Sequence, residues 1–123
     1  MSKKIAFMGT PAISGQILKS LYQNGFDIEV VYTQPPVESN RGHKLNKSPV
    51  HIMSEILNIP VRTPFKLDNS EENKFLQSKN ISLGIVVAYG QILKKDILDI
   101  PKYGWINIHY SLLPKLRGAA PIQ

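Results

Sequence analysis

No cysteine occurs anywhere in these 123 residues. Disulfides and thiolate metal sites are excluded together, and a reducing cytosol is a setting that fits. Long apolar runs are missing too: the charged lead is followed by an apolar stretch at 5–8 that Gly9-Thr-Pro11 cuts after four residues, too short for a signal peptide or a membrane span. The expectation is a soluble, cytoplasmic chain with no membrane partner. Acid is absent from residues 41–50, where Arg41, Lys44 and Lys47 fall, whereas Lys3, Lys4 and Lys19 are offset by Asp27, Glu29 and Glu38. The net charge of +6, from 15 Lys and Arg against 9 Asp and Glu, therefore has a local basic stretch within it. Composition alone leaves that stretch open between a solvated loop and a contact for a polyanion.

Three chemical signatures are lacking as well. The turn Gly9-Thr-Pro11 has one of the glycines that a dinucleotide fingerprint requires, and Pro11 removes a backbone donor, so a tight strand-to-helix turn is expected there and not a phosphate site. No strained Gly-x-Ser-x-Gly elbow surrounds Ser111, which argues against a serine nucleophile despite the nearby His109. The histidines His43, His51 and His109 show no Asp or Glu at metal-ligand spacing, and no metal is expected.

What is present is an alternation of apolar runs and helix-period segments. Strands are predicted at 5–8, 28–32, 61, 83–88 and 105–109, and helices at 12–22, 50–57 and 70–79. Fully apolar strands such as 84–88 suit a parallel sheet covered on both faces, so the fold class is α/β, a doubly wound Rossmann-like mostly parallel sheet in one domain. Thr10-Pro11 opens the first helix, Asn24-Gly25 closes it, and Ser48-Pro49 supplies a capping hydroxyl and an N1 proline for the second. Residues 34–47 read as an irregular loop of about fourteen residues at the carboxyl end of the second strand, the edge where open α/β sheets bind ligands.

The last predicted strand carries Asn107 and His109 two residues apart, hence on one face. Carbonyl chemistry uses such a pair: the amide donates to a developing oxyanion, and the imidazole handles protons near neutrality. Asn107-Ile-His109, Ser111-Leu-Leu-Pro114 and Arg117-Gly-Ala-Ala-Pro-Ile-Gln123 together resemble the signature of the folate-dependent formyltransferases, and the Ala-Ala-Pro-Ile-Gln ending resembles the branch that acts on methionyl-tRNA. Phe7-Met-Gly-Thr-Pro11, Thr33-Gln-Pro35, Arg41-Gly-His-Lys-Leu45, Ser48-Pro-Val50 and Val86-Val-Ala-Tyr-Gly-Gln-Ile-Leu93 follow the same family's order, so the resemblance covers essentially the whole chain.

The resemblance implies transfer of a formyl group from 10-formyltetrahydrofolate to the amino group of initiator methionyl-tRNA, with Asn107 and His109 as catalytic residues. It assigns Ala88, Tyr89, Gly90, Gln91, Ile92 and Leu93 to the folate pocket, joined by Ser111, Leu112, Leu113 and Pro114, with Ser111 ordering its loop. It assigns Arg41, Gly42, His43, Lys44 and Lys47 to the tRNA acceptor stem; residues 36–40 carry Glu38 and lack an arginine common in the family. Relatives of this kind continue past a helix start like residues 118–123, add an aspartate that orients the histidine, and end in a separate barrel domain. The chain is therefore expected to be the amino-terminal part of a catalytic domain, truncated and inactive alone. A folate-binding or vestigial module, and a sugar-nucleotide formyltransferase, are the alternatives.

Overall fold

A computed structural model describes residues 3–39, 42 and 44–110. Arg41, His43, Ser111, Leu112, Leu113, Pro114 and the helix start expected at 118–123 lie outside the described residues. In chain order the elements are β1 (Lys4–Gly9), α1 (Ala12–Gln23), β2 (Asp27–Tyr32), β3 (Val37–Glu38), β4 (Leu45–Asn46), α2 (Pro49–Ile56), β5 (Val61–Arg62), α3 (Ser70–Gln77), β6 (Leu83–Val87), α4 (Lys95–Leu98) and β7 (Trp105–Asn107). Five strands form one parallel sheet in the order β5-β2-β1-β6-β7.

Alternation along β1 divides the core. Ile5 and Phe7 face one layer with Leu18 of α1 and Val50 of α2, while Ala6 and Met8 face the other with Leu76 of α3 and Ile97 of α4. The sheet is thus covered on both faces, as its apolar strands require. The two-residue alternation breaks once, in β2: Ile5 pairs with Ile28 but Ala6 pairs with Val30, so Glu29 is skipped in a bulge. Ile28 and Val31 consequently share one face, and Val30 and Tyr32 the other.

Helix ends follow local chemistry. The Ser48 hydroxyl accepts from the His51 backbone N–H at 3.0 Å with Pro49 at the first helical position, as the sequence predicts. At α1 the N-cap is Pro11 with no side-chain bond; the Thr10 hydroxyl, expected at the helix start, donates instead to the Tyr89 carbonyl at 2.7 Å. A longer reach wins because it ties β1 to the segment after β6.

Two features depart from the sequence reading. Residues 34–47 are not irregular throughout: β3 and β4 pair antiparallel, Val37 with Asn46 and Glu38 with Leu45, and the Ser39 N–H donates to the Lys44 carbonyl at 2.8 Å. Strands of two residues are too short for alternation to show in sequence. Helix α4, not anticipated, is one turn whose Ile97 is buried and whose carbonyl accepts from Trp105 Nε1 at 3.1 Å.

That indole fixes the edge of the sheet. Gly84 pairs with Trp105, and a Cβ at position 84 would stand 2.1 Å from the Trp105 ring. The glycine leaves room for the ring to lie flat across β6, which sets the course of β7 and of Asn107 two residues on.

Candidate active site

The chain runs outward from β1 to β2 and β5, then returns to lay β6 on the opposite side of β1. Carboxyl ends diverge at such a switch point and leave a crevice. Here the two turns are tightly apposed: a Cβ on Gly9 would come within 2.7 Å of the Val87 carbonyl oxygen, and the Ser14 hydroxyl donates to that same carbonyl. Ala88 follows at φ +55, a left-handed conformation that costs a non-glycine residue roughly 1 kcal/mol or more. The strand is thereby turned abruptly at the crevice.

A cavity of about 530 Å³ opens there. Asn107 and His109 line one wall and Ala88, Tyr89 and Gln91 another, with Pro11 and Ile13 contributed by the start of α1. The regular strand ends at Asn107, yet the Ile108 N–H still donates to the Val86 carbonyl at 2.8 Å, which carries extended pairing past the strand end to His109. Both side chains are exposed to solvent, and among the described residues neither has a hydrogen-bond partner. An amide donor and an imidazole with free polar atoms beside an apolar wall can receive a polar carbonyl group.

The remaining sequence-predicted residues are distributed differently. Gly90, at φ +105, turns the backbone, Ile92 is 82% exposed, and Leu93 packs against the α3 and α4 face; none of the three lines the cavity. Gly42 and Lys44 are exposed in the hairpin, but Lys47 is drawn back onto α2 by Glu55, Nζ to Oε2 2.6 Å. His51 does have an acid one turn on, which the sequence reading overlooked: its Nε2 lies 3.6 Å from Glu55 Oε2. No group of three His, Cys, Asp or Glu side chains is placed to hold a metal ion among the described residues. Burial lowers the His51 pKa, partly opposed by the Glu55 charge, and its buried Nδ1 has no partner.

Behind Tyr89 lies a charged cluster that the sequence did not disclose. Glu72 Oε1 accepts from the Tyr32 hydroxyl at 2.6 Å and from Arg62 Nε at 2.7 Å, and the Arg62 guanidinium stacks 3.9 Å over the Phe75 ring. Burial, then the bond to Glu72 and its charge, push the Tyr32 phenol far above the usual tyrosine range. Burial and the same carboxylate do so for Tyr89. Both phenols stay protonated and serve as donors or packing surfaces. Buried polar residues Thr33 and Ser14 were likewise missed; Thr33 Oγ1 and Ser48 Oγ lie 2.6 Å apart and join β2 to the N-cap of α2.

A larger cleft of about 620 Å³, between Phe26 and Tyr103, lies at the amino ends of the strands. It is remote from the edge at which sheets of this kind carry their chemistry. Among the described residues no helix is long and apolar enough to cross a membrane.

Comparison with known proteins bears on this site. A family model described as formyl transferase matches residues 3–123. A methionyl-tRNA formyltransferase of Pelagibacter ubique (strain HTCC1062) is 57% identical over 124 residues, covering 100% of this chain and 40% of that relative. One from Caulobacter vibrioides is 48% identical over 120 residues, 98% of this chain and 39% of its own length. One from Clostridium perfringens is 52% identical over 121 residues, again 98% and 39%. The chain thus spans about two-fifths of the length of the curated relatives it matches. Among solved structures, glycinamide ribonucleotide transformylase 1 from Geobacillus kaustophilus superposes with a TM-score of 0.65 at 16% identity, covering 93% of this chain and 61% of the other, a likeness of fold alone.

Proposed function

Because the chain belongs to the formyl transferase family, we propose that its 123 residues carry the donor cavity and acceptor-facing hairpin of a methionyl-tRNA formyltransferase. The supporting observation is the meeting of Asn107 and His109 with Ala88, Tyr89 and Gln91 in one cavity at the switch point. The donor is a formyl-folate, 10-formyltetrahydrofolate, and the acceptor the α-amine of methionine on initiator tRNA. The apolar side chains Ile13, Val86 and Ile108 along the cavity suit a flat heterocycle, and backbone groups around the strained Ala88 suit its polar edge. The family's relatives named for methionyl-tRNA support this acceptor over a sugar nucleotide. The basic segment of Arg41, Gly42, His43, Lys44 and Lys47 is on this reading the tRNA contact, and Ser111, Leu112, Leu113 and Pro114 belong to the folate side.

The reaction exchanges one amide for another. The neutral amine attacks the formyl carbon, a C–N bond forms, and the carbonyl oxygen takes up negative charge that the Asn107 amide stabilises by donation. His109 accepts the proton that the amine sheds and returns it to the folate nitrogen as the old C–N bond breaks. An orienting carboxylate for His109 is part of the proposal and would come from outside the described residues.

In the enzyme at the full length of its relatives, Asn107→Ala is expected to lower turnover roughly a hundred- to a thousandfold, the scale of one lost oxyanion donor, with little change in folate affinity. His109→Ala should cost at least as much, again with little change in folate affinity. Rapid-mixing kinetics with methionyl-tRNA checks both; equal losses in binding and turnover would overturn the assignment.

A further inference from the structure

The Gln91 side chain faces the cavity, yet its polar atoms are committed to the protein. Its Oε1 accepts from the Leu67 backbone N–H at 2.7 Å, and its Nε2 donates to Gln34 Oε1 at 3.0 Å and to the Pro64 carbonyl at 3.2 Å. One planar amide therefore joins the segments that follow β2, β5 and β6. Leu67 requires an acceptor while Pro64 requires a donor, and a primary amide presents both at a single side-chain end. Gln34 is held a second time, since its backbone N–H reaches Thr10 Oγ1 at 3.4 Å. Thr10 in turn donates to the Tyr89 carbonyl. Gly90 makes room for the pair: a Cβ there would stand 2.6 Å from Gln34 Nε2.

Gln34 lies three residues before Val37, where the hairpin begins. The apolar side chains of the hairpin add little packing, since Val37 is 65% exposed and Leu45 69%, and the segment is held where it leaves and rejoins the fold: by Gln34 on the outgoing side, and on the returning side by the Lys47–Glu55 ion pair and the Thr33–Ser48 hydrogen bond. Its direction is accordingly set at its root. We propose that Gln91 is a positioning residue which, acting through Gln34, fixes the angle of the basic hairpin relative to the cavity that holds Asn107 and His109. The identity of the two substrates so aligned rests on the function proposed above; the link between cavity and hairpin does not.

The test compares Gln91→Met, which keeps length without hydrogen bonds, with Gln91→Glu, which keeps the acceptor for Leu67 and lets the Gln34 amide rotate to donate. In hydrogen exchange on the 123-residue chain, amides of residues 37–46 should exchange about tenfold faster in Gln91→Met, the scale of one lost buried hydrogen bond, while β1 and β6 keep their protection. Gln91→Glu should restore part of the protection. Gln34→Ala should match Gln91→Met, and the double variant should add nothing further. In the enzyme at the length of its relatives, Gln34→Ala, which breaks the same link at a residue outside the cavity lining, should raise KM for methionyl-tRNA about tenfold and leave KM for the folate within about twofold. Unchanged hairpin exchange, equal loosening of β1, or additive effects would each overturn the link. Faster exchange with an unmoved tRNA KM would overturn the positioning role. If the unaltered enzyme used neither substrate, the functional reading would fail, and exchange would still decide the link.

Discussion

His51 shows how one residue can be placed correctly by pattern and misjudged in chemistry. Its position in α2 follows from the helical period, but its partner Glu55 was overlooked, and its unpartnered Nδ1 is a tertiary fact. Because burial holds its folded pKa below the unfolded value of 6.5, the unfolded chain binds the extra proton first as pH falls. Its contribution to stability is therefore present above about pH 6.5 and lost on acidification through the lowered pKa. His51→Leu should remove that acid-side loss, and since it deletes an unpaired buried nitrogen it should cost less than about 1 kcal/mol at neutral pH. Urea midpoints measured from pH 5 to 7.5 on both proteins check this; a parallel decline would rule it out. Asn107 and His109 were legible as a pair because strand parity is local, whereas the commitment of Gln91 depends on Gln34, fifty-seven residues away in sequence.

Among the elements, β7 owes its placement to a contact that no local signal encodes. Gly84 in β6 admits the Trp105 ring, and Trp105 Nε1 fastens α4 beside it. Gly84→Ala should force the ring aside and destabilise the chain by about 1–3 kcal/mol, the usual cost of overpacking, while shifting Asn107 at the cavity. Chemical denaturation together with tryptophan fluorescence, reporting on the lone indole, measures both effects; unchanged stability and emission would show that the ring does not need that space. Long elements such as α1 and β1 were readable from period and caps. The hairpin, α4 and the bulge at Glu29 were not, because two-residue strands, a single helical turn and one skipped residue fall below the length at which a period can be recognised.

For the molecule as a whole, stability should fall steeply in alkali. Tyr32 and Tyr89 have folded pKa values raised above the ordinary 10.0 by burial and by Glu72, so above about pH 10 the unfolded chain gives up protons that the folded chain retains. Their contribution is complete below pH 10 and is lost as pH rises, at about 1.4 kcal/mol per pH unit for each phenol. Tyr32→Phe should make the decline measured by urea unfolding at pH 9, 10 and 11 shallower; an identical slope would exclude Tyr32 as its source. By itself the sequence determined the doubly wound class, the helix caps at Ser48 and Pro49, the family, and the Asn107–His109 pair, since each depends on neighbours within a few residues or on a stretch long enough to show a period. Only the tertiary structure decided that β6 returns beside β1, that Ala88 is held at a positive φ against the cavity, and that Glu72 and Gln91 are tied to partners from other elements. Those outcomes arise from close approach and hydrogen bonding between segments far apart in the chain, where the geometry of the packed sheet, and not local preference, selects which polar groups meet.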